Sequence, residues 1–141
     1  YVDEHGQNQR PIMIHRVCFG SIERFIGILT EHFAGKFPTW LAPVQVKVLL
    51  VSQKSEEYGK EIYEKLKAEG IRVEFDNRNE KIGYMIREAR QVDRVPYMII
   101  IGEQEVQNGT ISVRDRATDK TETMSAETFL EKLHKEIKER T

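Results

Sequence analysis

Apolar residues along this chain follow two patterns: short continuous or alternating runs, and positions spaced by three and four residues. The first pattern predicts strands over Pro11–Phe19, Val44–Val51, Ile71–Phe75 and Tyr97–Ile101. The second predicts amphipathic helices over Ile22–Phe33, about Ser55–Glu69, about Ile82–Val92 and from the cap Ser125 onward. The expected core positions of the last helix are Phe129, Leu130, Leu133 and Ile137. Strands and helices therefore alternate along most of the chain.

A tight turn is predicted at Asn108-Gly109, because this dipeptide readily adopts the positive φ values of a two-residue hairpin loop. The strands that it would join are Glu105–Gln107 and Thr110–Arg116. In that register Glu105 faces Ser112 and lies diagonal to Arg114 on the outer face of the sheet. Opposite charges on a sheet face usually form only a solvated ion pair, but they also offer a ligand an acceptor and a donor.

The order of elements after residue 44 predicts parallel crossover connections, to which the hairpin adds antiparallel pairs. We therefore expect an α/β fold with a mixed, mainly parallel five-stranded sheet flanked by helices. The one strand and one helix before it cannot close a core of their own. We expect residues 1–40 to be the end of a larger domain and residues 41–141 to be a second domain. Two prolines and three large apolar residues predict a packed connector over Phe37–Pro43.

Composition narrows the possible functions. The chain has 141 residues and a formal net charge of −1, which is unlike a non-specific nucleic-acid binder. Recognition of RNA would therefore need a local patch and specific contacts. A single cysteine, Cys18, excludes an internal disulfide and fits a reducing compartment, so we expect a cytoplasmic protein. No apolar run is long enough to cross a bilayer.

The main candidate for phosphate chemistry is the segment around Gly20. Gly20 permits a tight turn, Ser21 can cap the next helix, and Arg24 lies one turn into that helix, off its apolar face. An arginine there can bind a phosphate with its fork, beside the positive end of the helix dipole. The alternative is an arginine that only faces solvent.

Two other segments also suggest a ligand. His15 and Cys18 have a metal-like spacing, but residues three apart in a strand face opposite sides, so we expect no zinc site from that pair. Asn79 and Arg78 lie where a strand ends and a helix begins, which is where α/β proteins collect ligands. Amide and guanidinium groups suit the edges of unstacked RNA bases. A capped helix start, with Asn77 or Asn79 as the cap, explains the same residues without a ligand.

Three arginines, Arg87, Arg90 and Arg94, follow a helical spacing on the polar side of the third predicted helix. Such a stripe is usually a solvated face. It also suits the phosphates of an RNA stem, in which case the loss of one arginine should weaken binding and flatten its salt dependence.

The sequence of the first 43 residues resembles threonyl-tRNA synthetases. The segments that carry the resemblance are Arg10–Arg16, Gly20–Leu29 and Glu31–Pro43, and it continues to the last residue. Gly20–Leu29 is similar to motif 3 of the class II aminoacyl-tRNA synthetases, the segment that holds ATP. The resemblance implies that residues 1–40 are the end of a class II catalytic domain. It also implies that residues 41–141 are an anticodon-binding domain.

For the first region the resemblance implies nucleotide and metal chemistry. Arg24 would contact the γ-phosphate of ATP, and Gly20 and Ser21 would support the same pocket. His15 would be one of three protein ligands to a zinc ion that holds threonine, with the other two ligands outside this chain. The intact enzyme would be a homodimeric ligase that joins threonine to its tRNA using ATP, Mg²⁺ and Zn²⁺. This chain alone is expected to bind none of these cofactors and to catalyse nothing.

For the second region the resemblance implies recognition of the anticodon stem-loop of threonine tRNA. Asn79, Glu105 and Arg114 match positions that contact the anticodon, whose last two bases are G and U, and Arg78 adjoins them. No membrane partner is expected. Two alternatives stay open: a non-catalytic accessory protein with the same domain, and a class II synthetase for proline, glycine or histidine. An unrelated nucleotide-binding protein is disfavoured because no Gly-rich loop follows the first strand of the second region.

Overall fold

Five strands form a single sheet in the computed structural model, which describes residues 1–141. The strands are β1 (Val46–Leu50), β2 (Val73–Asp76), β3 (Tyr97–Ile101), β4 (Ile111–Asp115) and β5 (Thr121–Met124). Their spatial order is β2-β1-β3-β4-β5. β1 is parallel to β2 and β3, whereas β4 is antiparallel to β3 and β5. The predicted mixed sheet of five strands is confirmed, and only β4 runs against the others.

Four of the five helices lie within a residue or two of their predicted positions. The helices are α1 (Ile22–His32), α2 (Glu56–Ala68), α3 (Ile82–Gln91), α4 (Glu103–Asn108) and α5 (Ala126–Glu139). Ser125 caps α5 by accepting a hydrogen bond from the Thr128 amide. Gly70, at φ +78°, follows α2, and a glycine in this conformation is typical of a helix C-terminus. None of these helices is long and apolar enough to span a membrane.

Helices cover both faces of the sheet, and each face has its own core. Successive residues of a strand point to opposite faces, so alternate positions of β1 and β3 pack beneath α2 and α5, and the intervening ones pack beneath α3. The larger core includes Val48, Ile62, Leu66, Ile99, Phe129, Leu130 and Leu133. The smaller core consists of Leu49, Met85, Ala89, Val95 and Met98. The predicted inward face of α5 is therefore confirmed.

The predicted hairpin at Asn108-Gly109 is wrong. This segment forms the short helix α4, and Gly109, at φ +64°, ends it in the left-handed conformation. The Glu105 side chain supports the start of α4 by accepting a hydrogen bond from the backbone amide three residues earlier, at 2.9 Å. The positive φ expected in a hairpin loop is thus used at a helix C-terminus. The actual hairpin joins β4 to β5 through residues 116–120, so Glu105 is not a strand residue paired with Ser112.

The predicted strand over Pro11–Phe19 is also wrong. These residues form no ladder, and Ile12 and Ile14 are 92% and 86% exposed. A strand needs neighbouring N–H and C=O groups to pair with, and this part of the chain supplies none. The only strand-type pairing before α1 is an isolated bridge between Val2 and Asn8, which closes a turn near the start of the chain. The argument against zinc that rested on strand faces at this segment therefore no longer applies.

The connector Phe37–Pro43 is packed, as predicted. Thr39 and Ala42 are 6% and 3% exposed. The Thr39 carbonyl accepts a hydrogen bond from the Gln45 side chain, and the Thr39 hydroxyl donates to Glu136 of α5, both at 2.9 Å. These contacts fix the connector to the sheet and to the last helix.

Candidate nucleic-acid interface

β4 and β5 carry polar side chains on the face opposite the larger core. Ile111 and Val113 are buried in that core, so the alternate residues of β4 project from the other face. Cross-strand pairing sets threonines of β5 beside them. The residues of this polar strip are Ser112, Arg114, Thr121 and Thr123. The strip presents hydroxyl and guanidinium groups, which suit a hydrogen-bonded ligand better than a packed helix.

Glu105 reaches the polar strip from α4, just beyond the carboxyl end of β3. Its Oε1 accepts a hydrogen bond from the Ser112 hydroxyl at 2.8 Å, and its Oε2 accepts one from the Gly102 amide at 2.9 Å. Burial raises the pKa of Glu105 and the two hydrogen bonds lower it, which leaves the pKa below its usual value. Glu105 is therefore ionised and fixed at neutral pH, with lone pairs left for a further donor.

Arg114 is held by Asp119 and not by Glu105. Its Nε and Nη2 donate to Oδ1 of Asp119 at 3.1 and 2.7 Å, and Oδ2 of the same carboxylate accepts from Arg90 at 3.0 Å. The hydrogen bond from Arg114 is the main reason why the pKa of Asp119 is lowered. The expected diagonal pair of Glu105 and Arg114 is thus absent, and one carboxylate bridges two arginines.

Sequence patterns do not single out Asp119. It lies in the hairpin turn between β4 and β5 at φ +59°, a conformation that aspartate adopts more readily than most residues. The signal that could have found it is the turn-forming run Ala117–Lys120. That run is overlooked when the hairpin is placed at Asn108-Gly109.

The loop between β2 and α3 holds the other two candidates, Arg78 and Asn79. Arg78 donates through Nε to Asp76 at 2.9 Å and also binds Glu88, and these carboxylates, Asp76 first, raise its pKa. Asn79 is exposed. The predicted asparagine cap is wrong, since α3 is preceded by Lys81 and has no side-chain cap. The Asn79 amide is therefore accessible to a ligand, whereas Arg78 is largely committed to two carboxylates.

The structure brings two of the four anticodon candidates together. Glu105 and Arg114 both border the polar strip, with Ser112 between them. Asn79 follows β2, which is separated from β4 by two strands, so the axes of β2 and β4 lie about 14 Å apart across the sheet. Glu105 and Asn79 both follow the carboxyl ends of parallel strands, so they share one edge of the sheet. The three residues line an extended surface and not a single small pocket.

The turn around Gly20 forms as predicted. Gly20 has φ +68°, and Ser21 caps α1 by accepting a hydrogen bond from the Arg24 amide at 3.3 Å. The Ser21 hydroxyl also donates to Glu23 at 2.6 Å, which is the main reason why the pKa of Glu23 is lowered. The Arg24 side chain is exposed. The cap and the turn are confirmed, and a role in binding ATP stays a prediction.

His15 and Cys18 are both exposed. No group of three or more histidine, cysteine, aspartate or glutamate side chains in the chain is placed to hold a metal ion. A zinc ion at His15 would therefore need ligands from outside these 141 residues.

Comparison with known proteins identifies the sheet and its helices. The sequence profile of a family described as the anticodon binding domain matches residues 45–136, which include all five strands and most of α5. The chain belongs to this family. The predicted α/β anticodon-binding fold is thereby confirmed for the second region.

The anticodon-binding chain has close relatives among curated proteins. The threonine-tRNA ligase of Caldanaerobacter subterraneus subsp. tengcongensis is 58% identical over 137 residues, which is 97% of this chain and 21% of that protein. The threonine-tRNA ligase of Clostridium tetani is 56% identical over 140 residues, 99% of this chain and 22% of that protein. The chain thus spans about a fifth of the length of these relatives. Their names favour neither an accessory protein nor a synthetase for proline, glycine or histidine.

Two solved structures share the fold of this chain. The RNA binding domain of threonyl-tRNA synthetase from Cryptosporidium parvum matches with a TM-score of 0.78 at 34% identity, covering 83% of this chain and 29% of that one. Prolyl-tRNA synthetase from the same organism matches with a TM-score of 0.65 at 22% identity, covering 72% and 22%. The second likeness shows the fold alone.

Proposed function

We propose that this anticodon-binding chain reads the anticodon of threonine tRNA as part of a threonine-tRNA ligase. The 58% identity to a ligase of that name, over 97% of the chain, supports the assignment. The observation that carries the chemistry is the position of an ionised acceptor, Glu105, which is hydrogen-bonded to Ser112, two residues along β4 from a guanidinium donor, Arg114.

Guanine fits this arrangement. Its Watson–Crick edge offers two N–H donors, which the carboxylate of Glu105 can accept, and its O6 and N7 suit the Nη1 and Nη2 protons of Arg114 that Asp119 leaves free. A base must be unstacked and unpaired to present both edges, which is the condition of bases in an anticodon loop. Asn79, with Arg78 next to it, lies at the same edge of the sheet and would contact a neighbouring base.

We infer the remaining functions from the resemblance to threonyl-tRNA synthetases. The parent protein would be a cytoplasmic, homodimeric ligase that uses ATP and Mg²⁺, with residues 1–40 ending its catalytic domain and residues 41–141 forming the anticodon-binding domain. Gly20, Ser21 and Arg24 would line its ATP pocket. Zinc, when bound, would supply a Lewis acid for the substrate amino acid. His15 alone does not make a zinc site, so the other ligands of such an ion would come from outside this chain.

A titration with two RNAs tests the proposal. The threonine anticodon stem-loop should bind more tightly than the same stem-loop with its central G replaced. Arg114→Ala should weaken binding of the first RNA by about 1–3 kcal/mol and remove the preference for guanine. Lys60→Ala, on α2 at the opposite face of the sheet, removes the same charge and should keep the preference. Equal affinity of the unaltered chain for the two stem-loops would remove Glu105 and Arg114 from this role.

A further inference from the structure

Four cationic side chains surround an open cavity of about 460 Å³ near the amino end of β3. The lining residues of this basic cavity are Lys36, Arg90, Gln91, Arg94, Arg116 and Ala117. They come from the segment before the connector, the end of α3, the loop after it and the hairpin turn after β4. The predicted helical stripe of arginines is wrong at Arg94, because α3 ends at Gln91. No acidic side chain lines the cavity, although the chain has a net charge of −1.

Arg116 is half-buried and hydrogen-bonds only to neutral groups. Its Nη2 donates to the carbonyls of Lys36 and Phe37 at 3.2 and 2.8 Å, and its Nη1 donates to the carbonyl of Arg94. Burial lowers the pKa of Arg116, and the nearby Asp115, which opposes this effect, hydrogen-bonds within its own turn. Carbonyl groups accept hydrogen bonds without neutralising a charge, so Arg116 keeps its positive charge at the cavity, whereas Arg90 is paired with Asp119.

Arg94 is fixed at the cavity by the backbone around it. It has φ +54°, which is uncommon for a residue with a side chain, and its Nη1 donates to the carbonyl of Ala34. Gly35 leaves room for this guanidinium, since a Cβ there would lie 2.5 Å from Nη1 of Arg94. Lys36 is exposed and adds an ammonium group to the lining. Arg94 and Arg116 are therefore positioned before any ligand arrives.

We propose that the basic cavity binds a phosphodiester group of the RNA whose bases meet the polar strip, an inference that rests on the proposed function. Asp119 connects the two places, because it binds both Arg114 of the strip and Arg90 of the cavity. Ser112 and Arg116 are four residues apart, which is about 13 Å along extended chain. The backbone of one RNA strand spans that distance within a few nucleotides.

The lining of the cavity favours a phosphate over a base. Bases bind by stacking on aromatic side chains, and no aromatic residue lines this cavity. Guanidinium forks match phosphate oxygens, and the ammonium of a lysine adds charge without demanding geometry. The cavity therefore contributes affinity, and the polar strip contributes base selectivity.

A carboxylate placed in the cavity tests this inference. Ala117 lines the cavity, is exposed, and hydrogen-bonds through its amide to Asp115 at 2.7 Å. Ala117→Glu adds a negative charge in the 141-residue chain, whereas Ala117→Gln adds nearly the same volume without charge. We expect the Glu variant to bind the threonine anticodon stem-loop about tenfold more weakly. The slope of log affinity against log salt should become shallower by about 0.7–0.9, and the Gln variant should match the unaltered chain.

Removal of a cation gives a second test. Lys36→Gln should weaken binding of the threonine stem-loop and of its G-substituted form by the same factor, because a phosphate contact carries no base information. Lys60→Gln, on α2 at the opposite face, removes the same charge and should change neither affinity. A loss confined to one of the two RNAs would overturn the assignment of the cavity to the backbone.

The inference and the proposed function fail in different ways. Equal affinity for the two stem-loops, with the charge effect at Ala117 retained, would overturn base reading alone. A guanine preference that persists while the Glu and Gln variants bind alike would overturn the cavity proposal alone.

Inorganic phosphate, titrated into the free chain and followed by the amide NMR shifts of residues 116 and 117, separates two sources of phosphate. Saturation by inorganic phosphate without any loss of stem-loop affinity would assign the cavity to free phosphate and overturn the RNA proposal.

Discussion

Residues 1–40 and residues 41–141 contain similar sequence patterns, but only the second region builds a core. Ile14 and Ile99 both stand in apolar runs of strand type, yet the first is 86% exposed and the second is fully buried. Both α1 and α5 are amphipathic, but α1 buries no residue and α5 buries four. An apolar pattern determines which face of an element can be buried, and neighbouring elements determine whether it is.

A substitution in the core of the second region should have the largest effect on the free energy of unfolding, and it tests this contrast directly. Phe129 is fully buried between α5 and the sheet, so Phe129→Ala should lower the free energy of unfolding by about 3–5 kcal/mol. Ile14→Ala, in the exposed segment, should change it by less than about 0.5 kcal/mol. Urea unfolding followed by circular dichroism measures both. A comparable loss in the two variants would show that the first region is packed in solution.

The fold of the second region could be predicted from the sequence where apolar spacing decides. The larger helices and the central strands follow that spacing. The Asn108-Gly109 dipeptide gives a wrong prediction because a glycine in the left-handed conformation can end a helix as well as form a hairpin loop. β5 has the sequence Thr-Glu-Thr-Met, without an apolar pattern, and it forms because β4 offers it an edge to pair with.

The candidate site was predictable only in part. Family resemblance predicts Asn79, Glu105 and Arg114 as anticodon contacts, whereas local patterns alone predict Asn79 as a helix cap. Asp119 and the basic cavity depend on contacts between segments far apart in the sequence, such as Arg90 with Asp119 and Arg116 with the carbonyl of Phe37. No local spacing encodes such contacts.

The next largest effect on stability is expected at an aspartate whose pKa is lowered. Each region contains at least one such aspartate, so one from each can be compared. The pKa of buried Asp76 is lowered mainly by its hydrogen bond from Arg78. Because the folded pKa lies below the unfolded one, this stabilisation is complete above about pH 4 and is lost as the pH falls through the folded pKa. Asp76→Asn should lower the free energy of unfolding at pH 7 by about 1–3 kcal/mol and flatten its decline in acid.

Asp3 is the matched residue in the first region. Its pKa is lowered mainly by the amide of Gln7, within the exposed turn near the start of the chain. Asp3→Asn should therefore leave both the global free energy of unfolding and its pH dependence unchanged. An acid dependence shared by the two variants would couple that turn to the folded sheet.

A smaller effect is expected where the connector joins the second region. The Tyr97 hydroxyl donates to Glu136 at 2.6 Å, and burial, followed by this hydrogen bond, raises the pKa of Tyr97. Tyr97→Phe should cost about 1–2 kcal/mol of stability, since Glu136 keeps only its bond from Thr39. Tyr84→Phe, at a side chain that is half exposed, should cost less than about 0.5 kcal/mol. Thermal unfolding of the two variants measures the difference, and equal melting temperatures would contradict it.

The smallest effect on stability is expected from substitutions that change only the strain of the backbone. Gly109 and Gly20 have nearly the same φ, +64° and +68°, and a Cβ at either would meet no atom within 4 Å, so alanine brings only conformational strain. Gly109→Ala should lower the free energy of unfolding by about 1 kcal/mol, because α4, which Gly109 ends, is bound to the folded sheet through Glu105 and Ser112. Gly20→Ala should leave it unchanged in urea unfolding, because the turn before α1 contributes to no core. Equal losses would mean that α1 unfolds together with the sheet, and the two regions would then be one cooperative unit.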